Sequence, residues 1–183
     1  SDKKKVYTNN LIINDTGGTP TLRLSSSNKN FVLLRRTSAS LLASPYLSWS
    51  WKIYNPSNQN LPISIVIGFY GGDPTSRSWG SKPLVYLGTK VPPYDRKIAI
   101  VWGKKSDTKG KIIINNNTPH YIAGSGKNKK NDWFIENIDL SKLYRQIWPR
   151  DDVVRARIMF VGFTSVSSSA SATAEFGDMV LYR

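Results

Sequence analysis

Apolar and polar residues alternate with a period of two along most of this chain, the spacing of strands whose successive side chains point to opposite faces. The clearest case is Tyr46–Asn55, where Leu47, Trp49, Trp51 and Ile53 share one face and Ser48, Ser50, Lys52 and Tyr54 the other. In Ile63–Tyr70, Ile63, Ile65, Ile67 and Phe69 line one face, with Ser64, Val66, Gly68 and Tyr70 opposite. Faces that are apolar throughout belong against a core, which places Trp49 and Trp51 inside. The same spacing predicts strands over Thr21–Ser26, Phe31–Arg36, Leu84–Leu87, Arg96–Gly103, Lys111–Asn115, Tyr121–Ala123, Trp133–Leu140, Val153–Val166 and Thr173–Tyr182. Asn55-Pro56, Gly71-Gly72-Asp73-Pro74, Pro92-Pro93, Asn115–Pro119 and the Ser167–Ser171 run separate them, and all are turn formers.

Helical spacing occurs once. Leu140, Leu143, Tyr144 and Ile147 recur at it, Asp139 or Ser141 can accept from the free N–H groups of a first turn, and Pro149 stops the element. The chain is therefore expected to be all-β, a jelly roll or β-sandwich with one short helix near 141–148. No repeat or linker divides it, so residues 1–183 form a single domain, with 1–20 as a partly irregular N-terminal arm.

Composition narrows the chemistry. The absence of cysteine excludes disulfides, thiolate metal sites and a cysteine nucleophile. No apolar run approaches the ~20 residues of a membrane-spanning helix. Residues 1–5 (SDKKK) have no apolar stretch behind them, which fits a cytosolic protein or a mature exported one whose signal peptide has been removed. Lys and Arg number 26 against 12 Asp and Glu, a formal charge of +14. Such an excess attracts polyanions, whether nucleic acid, anionic glycan or lipid head groups, or it serves only solubility.

The basic residues fall in two candidate sites. Lys104, Lys105, Lys109, Lys111, Lys127, Lys129 and Lys130 face a single acid, Asp107, and sit mostly in two Gly-containing loops, Lys104–Gly110 and Gly124–Asn131. If Lys111–Asn115 and Tyr121–Ala123 pair as a hairpin, these loops meet at one end of the sheet as a lysine-rich rim, with His120 on the opposite tip. Lysines offer flexible point charges suited to phosphate or sulfate. The second site is Arg155 and Arg157, on one face of the predicted strand Val153–Val166 with Met159, Val161 and Phe163, while Val154, Ala156, Ile158 and Phe160 take the other. Two residues apart, the arginines would hold an anion together or pair with Glu175 or Asp178. Tyr54, Tyr70 and Trp79 are candidate stacking surfaces.

Catalytic constellations are weak. His120, the one histidine, lies between Pro119 and Tyr121 in a predicted loop, and Ser125 in a Gly-Ser-Gly turn lacks the strand-to-helix elbow of a G-x-S-x-G nucleophile. Asp151-Asp152 and Asp132/Glu136 are the close acidic pairs, and capping or strand-end roles account for them. Gly124-Ser125-Gly126-Lys127 is not a phosphate-binding loop, which needs a further Gly, a Lys-Ser/Thr pair and a following helix. The reading is of a non-enzyme with no cofactor and no metal.

Several segments together resemble a known family: Ser48-Trp49-Ser50-Trp51-Lys52, an Ile/Val-rich strand ending Gly68-Phe69-Tyr70, Ala99-Ile100-Val101-Trp102-Gly103, Trp133, Ile158–Ser165 and the closing Ala174–Leu181. They look like a family of exported bacterial proteins, a domain of unknown function with a jelly-roll fold akin to carbohydrate-binding modules. The resemblance covers about residues 40–183. It implies a secreted or periplasmic setting and no established catalysis. The family pattern carries an acidic stretch after the penultimate strand; here that place reads Thr164–Ser169 and holds no acid, so a metal or polar site built there is not expected. The leading expectation is a non-catalytic module that binds an anionic glycan or a phosphorylated lipid head group such as a phosphoinositide, with peripheral contact to a membrane surface. Nucleic-acid binding and hydrolysis of an anionic polysaccharide are the rivals.

Overall fold

The structure, a computed structural model, describes residues 11–16, 19–26, 30–54, 61–77, 91–125, 132–167 and 172–183. The strands are β1 (Leu11–Thr16), β2 (Thr19–Ser25), β3 (Phe31–Ser40), β4 (Tyr46–Tyr54), β5 (Ile63–Tyr70), β6 (Arg96–Gly103), β7 (Ile112–Asn115), β8 (Thr118–Ser125), β9 (Trp133–Asp139), β10 (Arg157–Ser165) and β11 (Thr173–Tyr182). A five-stranded sheet runs β1-β2-β11-β4-β9 and a six-stranded sheet β3-β10-β5-β6-β8-β7. Every ladder is antiparallel except β6–β8, which is parallel. The last two strands enter the middle of the two sheets, β10 between β3 and β5 and β11 between β2 and β4. This is the expected β-sandwich of jelly-roll type.

Alternation sends one face of each sheet inward. From the smaller sheet come Leu47, Trp49, Trp51, Ile53, Ala174 and Phe176; from the larger, Ile63, Ile65, Ile67, Phe69, Ile98, Ile100 and Trp102. The rings interlock edge to face, Trp49 on Trp51 at 5.7 Å and Trp51 on Trp102 at 5.2 Å between centroids. Their indole N–H groups find no hydrogen-bond acceptor, at about 1–3 kcal/mol each. Burying roughly 150–250 Å² per ring returns about 4–6 kcal/mol, so burial wins.

The helix α1 (Leu140–Ile147) starts one residue before the expected span. Asp139 is its cap, accepting from Lys142 N at 2.9 Å and from Ser141 Oγ at 2.7 Å. No helix among the described residues is long and apolar enough to cross a membrane.

Four local expectations are corrected or extended. The N-terminal arm supplies β1, paired along β2 from Leu11↔Leu24 to Thr16↔Thr19. The strand expected from Val153 begins only at Arg157, because residues 153–155 form a turn. A bulge between Ile158 and Phe160 then resets the alternation: Ile158 joins Val161 and Phe163 in the core, and Phe160 turns to the outer face beside Gly68. His120 lies within β8, not in a loop, and the β7–β8 tip is Asn116-Asn117, both with left-handed φ (47° and 59°). The predicted strand Leu84–Leu87 lies outside the described residues.

Candidate functional site

The outer face of the smaller sheet carries a continuous cross-strand row. Trp133 of β9 pairs with Lys52 of β4, Lys52 with Glu175 of β11, and Glu175 with Arg23 of β2. Trp133 is 44% exposed, and Ile135, the next outward residue of β9, is 81% exposed. Large apolar side chains left in water side by side mark a contact surface.

The other end of the row is a closed polar network. The Glu175 carboxylate, almost fully buried, accepts from Thr21 Oγ1, from Arg23 at 3.1 Å and from the Tyr54 hydroxyl at 2.8 Å. Arg23 also donates to Tyr54 at 2.9 Å, and its guanidinium stands 4.9 Å from the Tyr54 ring centroid. The hydrogen bond that the Arg23 guanidinium donates to Glu175 holds it above its ordinary pKa, against the lowering effect of burial. Lys52 Nζ approaches the same ring at 5.2 Å. Two cations thus stand against the Tyr54 ring.

Below this row the outward side chains become small. Ser50 faces Gly177 and Ile135, and Ser48 faces Asn137 and Val180. A Cβ on Gly177 would stand 3.0 Å from Ser50 Oγ, so the glycine keeps the floor low. The strip ends at Tyr46 and Tyr182, whose rings lie 5.5 Å apart, with Asn137 donating to the Tyr182 hydroxyl. From Lys52 to Tyr46 along β4 is about 20 Å at the usual strand rise. The face is a shallow strip with aromatic groups at both ends and, between them, the Ser48 hydroxyl, the Asn137 amide and the exposed Ile135 and Val180. Flat rings can stack on a ligand, and short polar groups can exchange hydrogen bonds with it.

The lysine loop reaches β9, the edge strand of this sheet, from the inner side. Lys109 reaches Glu136 on the inner side of β9, Nζ to Oε2 2.5 Å, which ties the Lys104–Gly110 loop to the strand that bears Trp133. Asp107 is buried and accepts from Lys104 N at 3.0 Å, shaping the loop, and Lys105 is exposed. Lys127, Lys129, Lys130 and Trp79 lie outside the described residues. The expected arginine pair does not form on one strand face. Arg155 sits in the turn and pairs with Asp152 at 3.2 Å, while Arg157 donates to the Ser38 carbonyl. Glu175, offered as their partner, belongs to Arg23 instead. Tyr70 lies on the larger sheet opposite Arg157, so it does not join Tyr54.

The acidic pairs have structural work. Asp151 accepts a two-point contact from Arg96, 2.7 Å and 2.9 Å, and the Tyr144 hydroxyl at 2.8 Å. Arg96 also meets Asp73 at 3.0 Å and stands 5.5 Å from the Trp148 ring. Burial and the Asp151 carboxylate push the Tyr144 hydroxyl far above its ordinary pKa, so it stays a donor. Among the described residues no three His, Asp or Glu side chains converge as a metal site.

The sequence reading missed Trp133 and Ile135 as surface groups. In β9 both faces carry large apolar residues, Trp133 and Ile135 on one, Phe134 and Ile138 on the other, so alternation alone does not say which is outside. The inward acid Glu136 sharpened the ambiguity.

The family model described as "Protein of unknown function (DUF3047)" matches residues 2–180, and the chain belongs to that family. No curated protein matches it in sequence. Among solved structures, the catalytic domain of Humicola grisea Cel12A is 9% identical, covering 93% of this chain and 84% of that one at a TM-score of 0.51. The family 30 carbohydrate-binding module of Clostridium thermocellum cellulase Cel9D-Cel44B is 14% identical over 94% of this chain and 81% of that one, at 0.44. Trichoderma harzianum endoglucanase 3, from family GH12, is 8% identical over 93% and 83%, at 0.49. At these identities the likeness is one of fold.

Proposed function

We propose that this DUF3047 protein is a glycan-binding domain that holds an acidic polysaccharide along the outer face of its smaller sheet. The observation that carries the reading is the row Trp133–Lys52–Glu175–Arg23, an exposed indole beside a lysine and a fixed carboxylate–arginine pair. Trp133 supplies the stacking surface, Ser48 and Asn137 the hydrogen bonds, and Lys52 the attraction for carboxylate or sulfate groups. The net charge of +14 supports an anionic ligand over a neutral one. Polymeric acidic glycans are envelope or extracellular materials, so the reading carries an exported setting with it.

Binding rather than hydrolysis is favoured by the state of the carboxylates. Glycoside hydrolysis uses two carboxyl groups about 5–9.5 Å apart across the scissile bond. Glu175 has its oxygens taken up by Thr21, Arg23 and Tyr54, and Asp139, on the same face, is the helix cap. The outward strand positions of the larger sheet include the buried Val66, Ala99, Val101, Ile122 and Phe160, and among the described residues none of them is Asp or Glu.

The test is a titration of the protein with polygalacturonate, a neutral soluble β-glucan, inositol phosphates and single-stranded DNA at two salt concentrations. The expected result is binding to polygalacturonate that weakens as salt rises, since the screening length at 0.15 M is about 8 Å, with the neutral glucan weaker. Preference for DNA or inositol phosphates over every glycan would overturn the proposal.

A further inference from the structure

The two sheets part along the edge where β1 and β2 lie across from β3, and their inner faces there line an open-mouthed cavity of about 920 Å³. Small-molecule pockets run from about 300 to 1,000 Å³. Leu22, Leu33, Phe163 and Met179 are among its walls. Two residues show that it opens to solvent. Ile13 pairs with Leu22 and so faces inward, yet it is 72% exposed, because the larger sheet has no strand opposite β1. Arg35 pairs with Val161, which also places it on the inner face, and its side chain is exposed.

Arg35 breaks the alternation that makes Leu33 apolar two residues before it. It puts a permanent cation at the mouth of an apolar space. Asp178, at left-handed φ (51°) in the bulge of β11, also lines the cavity, and Arg35 is the cation that its inner-face register places at the mouth. We infer that this intersheet cavity binds a free single-chain amphiphile with an anionic head, its alkyl chain between the sheets and its head group against Arg35. The chain gains by leaving water for the Leu, Phe and Met walls, and guanidinium is the side chain best matched to a carboxylate or phosphate fork. The cavity lies across β2, β11 and β4 from the glycan face, with Thr21, Gly177 and Val180 in the wall between them, and the inference does not depend on that reading.

The experiment is calorimetric titration of the full chain with dodecanoate below its micelle concentration, with dodecyltrimethylammonium as the charge control. Saturable binding of dodecanoate at a single site is expected, with none of the cation. Arg35→Glu, an exposed change that leaves the core intact, should weaken dodecanoate by about tenfold or more. Leu22→Trp, checked for folding by thermal melt, should block the cavity and abolish it. Polygalacturonate titrations should be unchanged by bound dodecanoate, which separates failure here from failure of the glycan proposal. No saturable dodecanoate binding overturns the inference, as does parent-like binding by Arg35→Glu, which would leave Arg35 as a charge guarding an edge strand against pairing. Co-sedimentation with phosphatidylglycerol vesicles without retention of monomeric dodecanoate would also overturn it, in favour of a membrane surface.

Discussion

Glu136 lies on the inner face of β9, directly opposite the buried Trp49, and its carboxylate is met by Lys109 Nζ at 2.5 Å. A carboxylate in that position has lost most of its water, while Lys109 is 60% exposed. The attraction itself is therefore modest, and the larger quantity is what it costs to leave the acid without its donor. Lys109→Met should lower stability by about 1–3 kcal/mol in urea denaturation. Pairing it with Glu136→Leu should recover most of that loss, since replacing both members by apolar groups is often neutral or stabilising. A double variant as unstable as the single one would contradict this.

Gly68 is required by a ring rather than by a turn. The Phe160 side chain crosses it on the outer face of the larger sheet, and a Cβ at position 68 would meet Phe160 Cε1 at 2.2 Å. Phe160 is buried and held edge-on to Tyr94 at 5.5 Å, so it has little room to yield. Gly68→Ala should cost about 1–3 kcal/mol, the usual range for overpacking. Adding Phe160→Leu should relieve part of it.

The architecture was legible because burial on one face leaves a two-residue period that survives in the residues themselves. Leu47, Trp49, Trp51 and Ile53 are inside as that period requires, and so are Ile63 to Phe69. Reading failed where the period is broken or carries no sign. The bulge between Ile158 and Phe160 adds a residue that nothing in Arg157-Ile158-Met159-Phe160 announces and reverses the face of Arg157 relative to Val161 and Phe163, while the Arg155–Arg157 pair fails earlier, because residues 153–155 form a turn. Arg23, Tyr54 and Glu175 are far apart in the chain, and their meeting depends on β11 entering between β2 and β4, a topological fact with no local signature. Trp133 was visible as a residue but not as a surface one.

His120 makes stability depend on pH in a defined direction. Burial, aided by the charge of Lys97, lowers its pKa below the ordinary 6.5. Between the ordinary value and the lowered one, the unfolded chain binds a proton that the folded chain does not, so stability falls as pH drops through that window. Above it His120 is neutral in both states and contributes no slope. His120→Asn should flatten the stability profile just below pH about 6.5 without removing the carboxylate-dependent loss at lower pH. An unchanged slope would place the proton uptake on another group.

The central claim is that the outer face of the smaller sheet binds glycan through Trp133, and the most direct measurement is the affinity of Trp133→Ala for polygalacturonate alongside its thermal stability. Trp133 is an exposed residue on an edge strand, so its removal should change folding stability by no more than about 1 kcal/mol. A stacking tryptophan in a binding surface is typically a dominant contact, worth about 2 kcal/mol or more. The account predicts that affinity falls by about tenfold or more while the melting temperature stays close to that of the parent. Parent-like affinity in a folded Trp133→Ala protein would contradict it.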